Sequence, residues 1–270
     1  MTIGCRNFHG YLTQRKKESI MKANQNISIC MVLFLLVFWG DFANAESDDI
    51  LEVGNFSGFS LDEEIPNQWQ PLTFKNINEH TTYSLVEENG QNVIMAESNA
   101  SASGLIREIS IDPRKYQWIT WRWKISNIFE KGDVTQKKGD DYPARIYITF
   151  EYSPDKLSFF EKTKYKAARL IYGQYPPHAA INYIWESKAP RETVVPNPYT
   201  DRVKMIVVEN GDEYVGVWRE EKRNVYEDYK KAFGEEPPMI SGVAIMTDSD
   251  NTGESAVAYY GDILFMKQIP

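Results

Sequence analysis

Cysteine is almost missing from this sequence: only Cys5 and Cys30 occur in 270 residues. Beyond Cys30 there can be no disulfide, no thiol nucleophile and no zinc held through sulfur. Histidine is nearly as scarce, with His9, His80 and His178. A Ser-His-Asp triad past the first 45 residues would need His80 or His178, and no serine stands out as a partner. His178 follows Pro176-Pro177 and opens a strand-like run, which suits a structural histidine better than a base. G-x-S-x-G, H-E-x-x-H, G-x-x-x-x-G-K-[ST] and G-x-G-x-x-G are all absent. Acyl transfer and nucleotide chemistry of the familiar kinds are therefore not expected. No internal repeat, low-complexity tract or long linker interrupts the chain.

Long apolar runs are lacking too, with one exception. Ile29 to Trp39 is an unbroken apolar stretch of 11 residues, preceded by Lys22 and followed by Ala43-Asn44-Ala45. A basic flank, a short apolar core and an A-x-A site describe a secretory signal peptide. The stretch falls short of the roughly 20 residues a membrane span needs. The expected organisation is a signal peptide over 1–45, with Met21 giving a more ordinary start than Met1, and one domain over 46–270. An uncleaved N-terminal anchor is the other reading. With cleavage the protein is exported, periplasmic or extracellular, and keeps no stable membrane span. No small-residue lipobox precedes Cys30, so lipidation is not expected.

Of 30 Lys+Arg and 38 Asp+Glu, five and two lie in the leader, leaving 25 against 36 and a net charge of −11. An acidic surface argues against a nucleic-acid partner, whose binding rests on neutralising phosphates. Seven Trp, 16 Tyr and 13 Phe are abundant by contrast, and they favour strands and sugar-facing surfaces.

Strand-like runs recur at Gln91–Ala96, Gly104–Ile109, Trp118–Ile125, Ala144–Tyr152, Ile181–Trp185, Arg202–Glu209, Tyr214–Glu220, Gly242–Asp248 and Ala256–Met266. In the third, Ile119, Trp121, Trp123 and Ile125 share one face. In the fourth, Ile146, Ile148 and Phe150 oppose Arg145, Tyr147 and Thr149. Short strands between Gly/Pro/Asn/Asp turns predict a sandwich or barrel. Two helices are expected as covers. One starts at Ser153-Pro154 and turns Leu157, Phe160, Ala168 and Ile171 inward. The other is capped by Asn224, carries Val225, Tyr229 and Phe233, and stops at Gly234.

Thr247-Asp248-Ser249-Asp250-Asn251-Thr252-Gly253-Glu254 gathers carboxylates on a turn between strands, which suits a hard cation such as Ca²⁺. An EF-hand is excluded, because its twelfth position would be Tyr259. What remains is a looser site on Asp248 and Asp250, with Asp262 or Glu254 in reach, or a plain polar turn. Arg122, Arg145, Asn182, Trp185 and Arg202 form a second set: guanidinium forks, an amide and a ring suited to a polyol or carboxylate. The plain alternative is that the rings are core and the arginines pair with Asp140, Asp141, Glu220 or Glu221. For glycoside chemistry, Asp141 with Glu220 or Asp248 would be the acids, provided they face one bond at about 5–9.5 Å.

Trp121-Arg122-Trp123, Gly139-Asp140-Asp141-Tyr142-Pro143-Ala144-Arg145, Asn182-Tyr183-Ile184-Trp185, Asn197-Pro198-Tyr199-Thr200 and the loop from Met246 to Gly253 follow in that order. Together they resemble the bacterial domain of unknown function DUF3047, from about Phe56 to Phe265. The resemblance implies an exported bacterial domain with no assigned activity. Its shape is similar to jelly-roll β-sandwiches of the galactose-binding type, in which a structural Ca²⁺ near the last strand is common. The expected class is thus all-β with minor helices. The leading expectation is a non-catalytic module for a carbohydrate or other polar envelope ligand; a carboxylate-dependent glycan hydrolase or lyase is the alternative, and an envelope scaffold a third.

Overall fold

A computed structural model describes residues 49–62, 64–151 and 179–269. The expected leader, the helix from Ser153 and His178 lie outside these residues. Among the described residues the strands are β1 (Ile50–Gly54), β2 (Gln70–Leu72), β3 (Thr82–Glu88), β4 (Gln91–Asn99), β5 (Ala102–Ile111), β6 (Trp118–Ile125) and β7 (Arg145–Phe150). They continue as β8 (Ala179–Glu186), β9 (Val194–Asn197), β10 (Thr200–Asn210), β11 (Arg219–Asn224), β12 (Ile240–Asp248) and β13 (Ser255–Met266); helix α1 (Val225–Phe233) follows β11. No helix among them is long and apolar enough to cross a membrane.

A six-stranded sheet runs β11-β6-β13-β4-β3, with β1 also on β13, and a seven-stranded sheet runs β2-β5-β12-β7-β8-β10-β9. Pairing is antiparallel except between β8 and β10. From β4 to β7, and again from β10 to β13, the chain changes sheet at every step. This is the two-sheet β-sandwich expected of the sequence.

The alternation in β6 and β7 explains the packing. Ile119, Trp121, Trp123 and Ile125 point into the core from the six-stranded sheet, and Ile146, Ile148 and Phe150 from the other. Two aromatic contacts then tie the sheets together. Trp121 stacks on Tyr183 of β8 at 5.3 Å, and Trp123 meets Trp185 at 5.9 Å. Each such pair adds about 0.5–1.5 kcal/mol beyond the area it buries. Helix α1 starts where expected: the Asn224 side chain accepts from Glu227 N, and Gly234 ends it at φ 73°. Tyr229 lies 4.5 Å from Phe150, so the helix does cover the sandwich.

One strand differs from expectation. Tyr214–Glu220 reads as a run, but β11 begins at Arg219. Val215 N bonds to Asp212 O, Val217 N to Tyr214 O, and Gly216 takes φ 76°, so the first half is consecutive turns. The shift brings Glu221 inward, opposite Trp121 in register.

Glu221 is 7% exposed, Glu209 of β10 is 1% exposed, and the two carboxyls are hydrogen-bonded to one another across the sheets. Arg219 Nε lies 2.7 Å and Arg191 Nη1 3.4 Å from Glu209, while Trp123 Nε1 donates to Glu221 at 3.2 Å. Burial, then the charge of Glu209, pushes Glu221 from 4.5 up to about 7. A carboxyl raised by folding stabilises the fold below its unfolded value and loses that contribution as pH rises through the folded one. Stability should therefore fall between about pH 4.5 and pH 7 at this pair. Glu221→Gln, which keeps a donor for Glu209, should be more stable than the wild type at pH 8 by roughly 1–3 kcal/mol and nearly equal at pH 4. Urea titrations at the two pH values check this; equal differences at both would refute it.

Candidate functional site

The outer face of β7 and β8, at the end where β12 finishes, holds charged groups with little solvent. The loop into β7 is tight: a Cβ on Gly139 would lie 2.6 Å from Asp133 N and 2.8 Å from Lys131 O. Strand alternation then turns Arg145 and Tyr147 away from the core. Arg145 is 4% exposed, with its guanidinium carbon 5.2 Å from the ring centres of both Tyr142 and Tyr147. Its Nη2 donates to Asp248 Oδ2 and lies 3.2 Å from Met246 Sδ. Burial works against the guanidinium charge, but Asp248 together with Tyr147, Asp140 and Tyr142 outweighs it, so Arg145 is held above its ordinary value. Nε and Nη1 of Arg145 have no hydrogen-bond partner.

Four acids surround this one arginine. Asp248 Oδ1 accepts from Tyr142 N at 3.3 Å. Asp141 is gripped by the turn after β12: Asn251 N and Nδ2 donate to Oδ1 at 3.3 and 3.0 Å, and Thr252 N to Oδ2 at 2.6 Å. Gly253 closes that turn at φ 70°. Asp250 stands at the exposed rim. One oxygen from each of Asp141, Asp248 and Asp250 lies within 4.8 Å of the others. A carboxylate offers about four lone-pair sites, so every one of these acids keeps at least one open. Three such oxygens with water would suit a hard cation. Asp140 accepts from Tyr142 Oη at 3.0 Å and from Asn197 Nδ2 at 2.9 Å.

Burial pushes Asp248 well up even beside Arg145, with Asp141, Asp140 and Asp250 adding to the rise. Burial also raises Asp140, against Arg145 and the bonds from Asn197 and Tyr142. Asp250 is raised by burial and then by Asp141. Burial is the main cause of each rise, and one arginine offsets only part of it while the neighbouring acids add to it.

The expected ligand residues are not brought to one place. Arg145 and Asn182 share the outer face, in adjacent strands, since Asn182 is opposite Tyr147. Asn182 is fully buried, its Nδ2 lies 3.5 Å from Met205 Sδ, and its Oδ1 has no partner. Trp185 sits three residues on, hence on the other face, and is core; its Nε1 donates to Gly211 O at 3.0 Å. Arg202 acts on Tyr229 of α1, away from Met205. Arg122 is on the six-stranded sheet, stacked on Trp218.

The catalytic pairing of Asp141 with Glu220 fails on the same ground: Glu220 is exposed opposite Arg122 on the outer face of the other sheet. Asp141 does meet Asp248, but its oxygens hold backbone amides and Asp248 holds Arg145. Glu254 and Asp262 are not in the group formed by Asp141, Asp248 and Asp250. Glu254 accepts from Glu130 N and Lys131 N at 3.0 Å, and Asp262 from Ser57 N at 2.9 Å. The arginines' plain alternative is likewise corrected, since Arg145 pairs with Asp248. Asp140 is expected from the sequence only as an arginine partner, and Tyr142 and Asn251 are missed as parts of the site; their one signal is membership in the quoted motifs. Tyr199, 57% exposed, joins them by donating to Asn251 Oδ1 at 3.0 Å.

The crowded acids give a test with opposite signs. In chelator at pH 7, Asp250→Asn should raise the melting temperature by roughly 2–4 °C, because each raised acid weakens the fold above its unfolded value. In millimolar Ca²⁺ the wild type should melt higher than in chelator and the variant should not. Scanning fluorimetry under the four conditions decides; an unchanged wild-type melt in Ca²⁺ removes the cation.

No curated protein matches the sequence. Among solved structures, the chain is similar to the glycoside hydrolase domain of Endo-D (Spr0440) from Streptococcus pneumoniae R6, at 9% identity and TM-score 0.34 over 75% of this chain. It spans 22% of that chain's length. It is also similar to the cellulose induced protein Cip1, at 11% identity and TM-score 0.31, over 79% of this chain and 96% of that one. Likeness this distant carries nothing about activity. Residues 67–264 match the family described as protein of unknown function (DUF3047), and with that share of the sequence covered, the chain belongs to the DUF3047 family.

Proposed function

We propose that this DUF3047 protein is an exported, non-catalytic binding module for a carbohydrate or another polar envelope ligand, held on the outer face of the seven-stranded sheet. The observation that supports this reading is a set of unmet hydrogen bonds in one place. Arg145 Nε and Nη1 are buried donors without acceptors, and Asn182 Oδ1 is a buried acceptor without a donor. A buried polar group left unpaired costs about 1–3 kcal/mol, more when charged. A ligand carrying both hydroxyl donors and oxygen acceptors would meet all three. The surrounding Asp140 and Asp248 disfavour an anionic ligand at this point and favour a neutral polyol. Export rests on the leader and on a mature sequence without thiols.

Asn182→Leu separates this from a purely structural role. Replacing an unsatisfied amide by an apolar side chain of like size should leave the unligated protein as stable as the wild type or more so. It should also abolish the melting-temperature rise that a saccharide gives the wild type, which a panel of neutral and acidic saccharides would find. Absence of any shift in the wild type across the panel, or a full shift retained by the variant, counts against the binding module.

A further inference from the structure

The opposite face of the sandwich carries one more buried donor without an acceptor, beside a half-buried arginine. Arg122 is in the middle of β6, on the side away from the core indoles. Its guanidinium carbon lies 4.6 Å from the ring centre of Trp218. No described acid pairs with it, although exposed Glu220 is its direct neighbour in register on β11. Trp218 Nε1 is itself buried without a partner. Lys124, two residues along the same face, lies 5.6 Å from the Trp218 ring and 4.3 Å from that of Tyr259, and its ammonium is taken by Glu88.

The backbone is shaped around Arg122. β13 breaks register between Tyr260 and Ile263, and Gly261 sits in that bulge. A Cβ on Gly261 would lie 2.4 Å from Arg122 Nε and 2.5 Å from its Cγ. The missing side chain is what lets the arginine side chain pass over the strand to the indole. A guanidinium stacked in this way keeps its edge of N–H donors in a fixed plane, the geometry that matches a carboxylate or phosphate.

We infer that Arg122, stacked on Trp218 and seated over Gly261, anchors an oxyanion subsite on the outer face of the six-stranded sheet. The group it takes is a carboxylate or a phosphate, the common chemistry being two or more acceptor oxygens presented to one planar fork. Half-burial beside the indole reduces the screening that makes exposed ion pairs weak. The subsite is on the other sheet from Arg145 and Asn182, so it stands or falls independently of the polyol reading.

The test titrates the purified protein with inorganic phosphate and with glucuronate at low ionic strength, following the indole N–H resonances. Binding of either is expected to move the Trp218 signal, and whichever binds names the source of the oxyanion. Arg122→Gln should weaken it at least tenfold, and Arg122→Lys should give an intermediate loss, since charge is kept without the planar fork. Gly261→Ala should weaken binding as Arg122→Gln does. Should it prove misfolded by circular dichroism, the two Arg122 variants carry the test alone. Glu220→Gln, which removes the nearest competing carboxylate, should tighten binding severalfold, and Asn182→Leu should leave it unchanged. No response to either probe at millimolar concentration overturns the inference, as does equal binding by wild type and Arg122→Gln.

Discussion

The ion pair between Arg145 and Asp248 organises the acidic end of this fold. The two side chains are 5% and 2% exposed, so both charges have left water almost completely. Such a pair is roughly neutral for stability when its other bonding positions are met, and strongly destabilising when one member is removed. Here the pair joins β7 to β12, and both loops beside it depend on its placement. Tyr142 N caps Asp248, and Asp141 next to it holds the turn at Asn251 and Thr252. The loops therefore have one arrangement because the charges have one. What the pair leaves unmet, two guanidinium nitrogens and a nearby amide oxygen, is the part of the molecule least explained by folding alone.

Much of the sandwich was readable from alternation. β6 and β7 have the faces their sequences describe, and α1 has the cap and stop its residues call for. The strands that went unread have weak patterns for physical reasons. β2 is three residues with a proline at its centre, and β9 carries Pro196, both tolerable only at an edge. β3 ends in two glutamates, which suit an unpaired edge but blur its apolar period. Tyr214-Val215 looked like strand because its apolar residues pack on the core from turns.

The site was less legible, and the failures have distinct causes. Asn182 and Trp185 are three residues apart in one strand, so parity alone already puts them on opposite faces. Arg122 and Arg145 are a different matter. Parity says which face of a sheet a residue takes, never which sheet, and these arginines share a face type on different layers. Asp141 and Asp248 meet only because β7 and β12 are neighbours, a fact no local pattern encodes.

β13 is the last of the described strands, yet it lies in the middle of the six-stranded sheet. It separates β6 from β4 and also receives β1, whose Ile50 is paired with Met266. The two halves of that sheet, β11-β6 and β4-β3, each pair on their own but cannot join before β13 is available. Long-range pairing of this kind is slow, because loop closure precedes the contacts that reward it. The order of synthesis therefore does not set the order of pairing in this sheet: β4 and β6, however early they appear, are joined only through a strand made more than a hundred residues later.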